Sequence, residues 1–128
     1  MATQSTANPL TLQRLQAVNV QRAERWHKNG LNDWSPLEWA GAMAGEAGEA
    51  CNAAKKLKRI EDEIANINLE EGRALTDRDE ARRKVGLEVA DTIIYGVLLA
   101  SRVGVDISEM VRTAFNQKSE EYGFPERL

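Results

Sequence analysis

The chain has 128 residues, the length of one ordinary domain, and its 42% hydrophobic and 29% charged residues suit a globular fold and exclude global disorder. A net charge of −3 argues against a nucleic-acid binder, which would carry a basic face. The single cysteine, Cys51, excludes an internal disulfide and fits a reducing, cytoplasmic compartment.

Met1 to Pro9 is small and polar, with neither the basic start nor the apolar core of a signal peptide, and is expected to be a flexible tail. Apolar spacing then predicts a first helix from about Leu10 to Lys28, with Leu12, Leu15, Ala23 and Trp26 on one face and Asn29-Gly30 ending it. Asn19 and Arg22 project toward the same face. They read equally well as a helix edge with a snorkelling arginine and as polar groups lining a pocket.

Ser35, with Pro36 at the first helical position and Glu38 at the third, opens a second helix predicted to run to about Lys58. This helix is rich in Ala and Gly. Gly41, Gly45 and Gly48 each weaken a helix by up to about 1 kcal/mol relative to Ala, so close approach of another backbone is expected there as the return.

Residues 58–83 form a highly charged insert. It reads as a short helix, a turn near Gly72, and the start of a third long helix capped by Thr76 with Asp79. That helix continues to Arg102 and stops at Gly104. It contains the most apolar stretch of the chain, Val85 to Val103, which Glu88, Asp91 and Arg102 interrupt. A bilayer centre would charge roughly 2.5–3.5 kcal/mol for each, so the stretch reads as a buried core helix and no membrane partner is expected. Asp106 with Glu109 opens the last helix, where Ile107, Met110, Val111 and Ala114 share a face, and Gly123 to Leu128 reads as irregular. The expectation is a single all-α domain with four main helices.

The functional signal is a set of misplaced carboxylates. Glu46 and Glu49 lie three apart, about 60° around the helix, in the sector that holds Trp39, Met43, Ala50, Ala53 and Leu57. Glu88 and Asp91 repeat that spacing inside the most apolar helix, near Ile94, Tyr95 and Leu98. Buried acids must be paired, protonated or bound to a cation. Lys55, Lys56 and Lys118 could pair with one of them. Two such acid pairs on two apolar helices favour a metal site, and all-oxygen ligands suit Mg²⁺, with Mn²⁺ as substitute. Zinc is disfavoured, because His27 and Cys51 are the only other good ligands, and a di-iron centre would need Glu-x-x-His pairs.

These blocks, Glu46-Ala-Gly-Glu49 and Glu88-Val-Ala-Asp91, with MAGEAGEACNAAKK and LEVADTIIYGVLLA around them, resemble the ExxE, spacer, ExxD pattern of the MazG-like, all-α nucleoside triphosphate pyrophosphohydrolases. Tyr95 matches an aromatic residue often found after the second pair, and Asn116-Gln-Lys118 resembles an Asn-x-Lys pattern in the last helix. The resemblance covers roughly Leu12 to Arg127. The spacer between Glu49 and Glu88 is longer than usual, and the 58–83 insert looks like the extra material, able to extend two helices outward as a hairpin or to serve as an oligomer contact or lid.

The resemblance implies a four-helix-bundle-like core assembled as a homodimer or homotetramer. It also implies cleavage of an NTP or dNTP to the monophosphate and pyrophosphate, as in relatives thought to clear unwanted nucleotides. Glu46, Glu49, Glu88 and Asp91 would be the metal ligands, with Glu49 or another of the four as proton acceptor. Lys118, read as facing the side of Ile107 and Ala114, would contact phosphate. Asn116 falls on the opposite side and would reach a neighbouring subunit or solvent. Lys56, with Lys55, could contact phosphate or simply end a helix. Trp26, Trp34, Trp39 and Tyr95 are the aromatic candidates for the base. Core packing is expected for Trp39, and Trp34, in the loop before the ExxE helix, is the better stacking residue. His27 is expected at the surface. The rival readings are a non-enzymatic helical interaction module and a phosphoribosyl-ATP pyrophosphohydrolase of the same fold.

Overall fold

The computed structural model describes residues 9–66 and 71–128, so nearly all of the expected N-terminal tail lies outside the described residues. The described residues are helical and contain no strand: α1 spans Leu12–Trp26, a 3₁₀ turn Gly30–Asp33, α2 Pro36–Asn66, α3 Glu71–Arg102 and α4 Ile107–Tyr122. No helix among them is long and apolar enough to cross a membrane.

The helix starts follow the expected side-chain chemistry. The Ser35 hydroxyl accepts from the Glu38 amide at 3.2 Å while Glu38 Oε2 accepts from the Ser35 amide at 2.6 Å, a reciprocal capping box at the head of α2. Asp106 accepts from the amides of Ser108 and Glu109 at the head of α4. Gly123, at φ 70°, takes the left-handed position that closes α4.

α3 is the central element. α2 runs antiparallel along most of it, and α1 and α4 also pack on it, whereas the backbones of α1 and α2 stay apart. A groove therefore stays open between α1 and α2, with α3 as its floor. The core is the junction of Ala23 from α1, Trp39 from α2 and Leu98 from α3, with Leu31, Trp34, Tyr95 and Leu99 against it. Trp39 is 1% exposed, and its indole N–H donates to the Leu31 carbonyl at 2.9 Å. Two polar latches tie the ends together. The Gln16 amide donates to Ser101 Oγ and the Val105 carbonyl and accepts from the Ile107 amide, joining α1 to the α3–α4 turn. Arg102 Nε donates to the Trp34 carbonyl at 2.9 Å, closing the loop before α2 onto the end of α3.

Three expectations are corrected. Among its described residues the charged segment contains no separate short helix, because Lys58–Asn66 continues α2 and Thr76 lies inside α3, not at its cap. Half-buried Ile60 and Ile64 carry the apolar face of α2 onward, and the Lys58–Asp62 pair at 2.7 Å and the Arg82–Glu61 pair at 3.7 Å support the two extended helices within and between them. The described residues of the insert thus lengthen α2 and the start of α3. The glycines of α2 give no close backbone approach, since a Cβ on Gly41, Gly45 or Gly48 would meet open space. The close approach is on α3, where a Cβ on Gly96 would stand 3.2 Å from Met43 Sδ. Finally, the apolar stretch of α3 is buried on one side only: Val97, Leu98 and Ala100 are covered, and Leu87, Val89 and Ile93 are nearly half-exposed.

Trp39→Ala is expected to cost about 3–5 kcal/mol in denaturant unfolding. Trp39→Phe keeps most of the buried area and loses the bond to Leu31, for about 1–2 kcal/mol.

Candidate metal centre

Antiparallel packing of α2 on α3 brings Glu46 against the Glu88–Asp91 turn. One carboxylate oxygen from each of the three lies within 4.8 Å of the others. Glu88 is buried, Glu46 half-buried and Asp91 exposed, so the cluster runs from the seam outward to solvent. One cation answers it directly: Lys84, one turn before Glu88, places Nζ 2.6 Å from Glu88 Oε1. The remaining negative charge shows in the titration of Glu46. Desolvation pushes its carboxyl above the ordinary range, and repulsion from Asp91 and Glu88, a hydrogen bond with Glu88 and repulsion from Glu49 add to this. The hydrogen bond to Glu88, with the attraction of the surrounding acids, holds the Lys84 ammonium above its usual value.

Carboxylate oxygens from two helices, with no imidazole or thiolate among them, suit a hard divalent cation such as Mg²⁺ or Mn²⁺. Glu49 is exposed and outside the group of three, yet near enough to press on both Glu46 and Lys84. It stands at the rim of the centre and is not one of its inner oxygens.

The cluster opens onto the α1–α2 groove. A cavity of about 300 Å³ is lined by Arg22 and Trp26 of α1, Glu46 of α2, and Asp91, Ile94, Tyr95 and Leu98 of α3. Tyr95 thus serves the groove as well as the core, where its ring lies 6.4 Å from that of Trp39. The Arg22 guanidinium sits 5.8 Å above the Trp26 ring. Of the two readings of the α1 polar residues, Arg22 takes the pocket-lining one. Asn19 is buried and donates to the Ile94 carbonyl at 2.9 Å, fastening α1 to the groove floor.

Other predicted residues fall elsewhere. Trp34 is core packing and not an open stacking surface: it is half-buried, 4.5 Å from Trp39 and 4.9 Å from His27. Trp26, expected on the packed face of α1, is 68% exposed at the groove. His27 is not a surface residue. It is half-buried among the three tryptophans, 3.8 Å from Asp33. Lys118 does not face inward, because Ala114 on its side of α4 is itself exposed; its ammonium pairs with Glu121 at 3.0 Å and lies over Tyr122. Asn116 holds the C-terminal residue, accepting from the Leu128 amide at 2.8 Å and donating to its carbonyl. Lys56 lies about 15 Å along α2 from Glu46, beside Arg59, Ile60 and Glu63. Sequence reasoning missed Lys84, whose signal was its place four residues before Glu88.

Residues 52–128, more than half of the chain, match the profile of the MazG-like family. The chain belongs to the MazG-like family. No curated protein and no solved structure matches it. The matched span contains Lys84, Glu88, Asp91 and Tyr95 and begins after Glu46 and Glu49, so for this MazG-like chain the place of Glu46 in the centre rests on geometry.

An acid whose carboxyl is raised in the fold opposes folding once ionised. Stability should therefore fall as pH rises from the unfolded value, near 4.5, through the folded value of Glu46, and the cost is fully present above it. Glu46→Gln is expected to flatten that decline in EDTA, and Mg²⁺ is expected to raise the melting temperature of the parent protein more than that of the variant. Thermal unfolding from acid to neutral pH, with each additive, checks both.

Proposed function

We propose that this chain is a Mg²⁺-dependent nucleoside triphosphate pyrophosphohydrolase, converting an NTP or dNTP to the monophosphate and pyrophosphate in clearance of the nucleotide pool. The observation that carries this reading is the meeting of Glu46, Glu88 and Asp91 at the edge of a groove large enough for part of a nucleotide. Membership of the MazG-like family supports the same reading.

Glu46, Glu88 and Asp91 would hold the ion, which when bound supplies charge neutralisation for the phosphates and acidifies a water. Glu49, exposed one turn beyond Glu46, would be the proton acceptor of this reading. Lys84 holds a positive charge against Glu88 and limits repulsion between the cluster and an approaching triphosphate. Lys118 and Asn116 lie on α4, which does not pack against α2. A phosphate contact from either therefore requires a second copy of the chain, in the dimer or tetramer that belongs to this reading. The open-faced glycines of α2 favour such an assembly, because their cost to the helix has no return within one chain.

Pyrophosphate release from a panel of NTPs and dNTPs is expected with Mg²⁺ and not with EDTA. Asp91→Asn and Glu49→Ala should each lower it by about 100-fold or more. No release from any nucleotide, by folded protein that Mg²⁺ does not stabilise, would overturn the enzyme reading in favour of an interaction module.

A further inference from the structure

Trp26 is an anomaly of α1. A large apolar ring at the end of a helix is 68% exposed, while Trp34 and Trp39 a few residues on are packed into the core. It lines the cavity that also receives Glu46 and Asp91, and the floor of that cavity on α3 carries Ile94, Tyr95 and Leu98. Arg22, one turn before it, contributes the cation of that cavity and has no carboxylate partner among the described residues. One end of the groove is therefore acidic and suited to a cation, and the other is an aromatic face with a guanidinium beside it.

We propose that Trp26 is the platform on which the base of the nucleotide stacks, that Arg22 contacts its phosphate chain, and that the subsite takes purine nucleoside triphosphates in preference to pyrimidine ones, with little discrimination between adenine and guanine. This rests on the pyrophosphohydrolase reading for the placement of the phosphates at the acid cluster. The preference follows from what the walls offer. The hydrogen-bonding side chains of the cavity are Arg22, Trp26, Glu46, Asp91 and Tyr95. The two acids are committed to the cation and Arg22 to phosphate, and the Trp26 indole N–H lies in the plane of its ring, where a base stacked on the ring face does not meet it, which leaves the Tyr95 hydroxyl. A single hydroxyl cannot form the paired donor–acceptor array that tells one base edge from another. Recognition then falls to the face of the ring. Every base has such a face, so stacking tolerates all of them, and the larger purine covers more of the indole.

Calorimetric binding of the α,β-methylene analogues of ATP, GTP, CTP and UTP, with Mg²⁺, tests this without turnover. The parent protein should bind the ATP and GTP analogues alike and more tightly than the other two. Trp26→Ala should weaken the purine analogues by about tenfold and erase the purine preference, whereas Trp26→Phe keeps most of both. Because the ring is largely exposed, Trp26→Ala should melt near the parent temperature and keep the full Mg²⁺ shift, which separates loss of the platform from loss of the fold or the cation. Unchanged binding by Trp26→Ala, strong selection of one base, or no binding of any analogue overturns the subsite. Pyrophosphate release is read separately. Release that is insensitive to Trp26→Ala removes the subsite alone, and Trp26-dependent binding without release removes the pyrophosphohydrolase reading and leaves the subsite standing.

Discussion

Three carboxylates share one small space because the α2–α3 seam leaves them no alternative, and the rest of the molecule is arranged around that repulsion. Like charges at such range oppose the fold unless a cation answers them. Lys84 answers Glu88, but it is an exposed side chain on the same helix, and a lysine preceding its acid by four residues is the weaker order for such a pair. Glu46, partly desolvated and pressed by three neighbouring acids, carries the remaining cost. The seam holds because its apolar contacts lie on both sides of the acids. Trp39 and Leu98 pack on one side, Gly96 fits under Met43 next to the cluster, and Ala53 is buried on the other. A slip of one turn along α3 would break these contacts together, so the register that packs the core is also the register that gathers the acids.

The same centrality of α3 creates the groove. Helices that pack on a common neighbour with their own backbones held apart leave a channel between them, and here its floor carries Asp91, Ile94, Tyr95 and Leu98. α1 is kept at its distance by polar fastenings as well as by apolar ones. Gln16 bridges to the α3–α4 turn, and Asn19 bonds the backbone of Ile94. Buried amides bonded to backbone fix position more narrowly than apolar contact does, since their donors and acceptors lose more if misplaced.

Much of this was legible in the chain before any coordinates. The caps at Ser35 and Asp106 depend on three or four consecutive residues and came out as read. So did the all-α class and the meeting of Glu46 with Glu88 and Asp91, because helical spacing places a side chain around its own axis. Spacing does not say which arcs a neighbour will cover. That gap accounts for Trp26 and Trp34, whose expected surroundings were reversed, and for Lys118, assigned to a face that proved to be open. It accounts also for the α2 glycines, whose small size permits a close approach that no helix of this chain makes. Glu49 is a subtler case. At about 60° from Glu46 it belongs to the same sector on a helical wheel, but α3 covers only the Glu46 side of that sector. The insert was misread for a different reason: Gly72 and Thr76 are local breaking and capping signals, and tertiary pairing of two long helices overrode them.

The groove joins two parts of the chain with different standing. The α3 members of the acid cluster, Glu88 and Asp91, lie within the segment that matches the MazG-like profile, as does Lys84. Arg22 and Trp26, which face the other end, lie on α1, outside it. On the proposed reaction, breaking a phosphoanhydride constrains ligand oxygens to a narrow geometry, so that half tolerates little change in residue type or spacing. Holding a base by its face requires only a flat ring at a suitable distance, and several residues on a supporting helix could supply it. On the proposed reaction, substrate preference can therefore be altered at Arg22 and Trp26 without disturbing the acid cluster, because α1 is fastened to the groove floor on α3 and its backbone stays clear of α2.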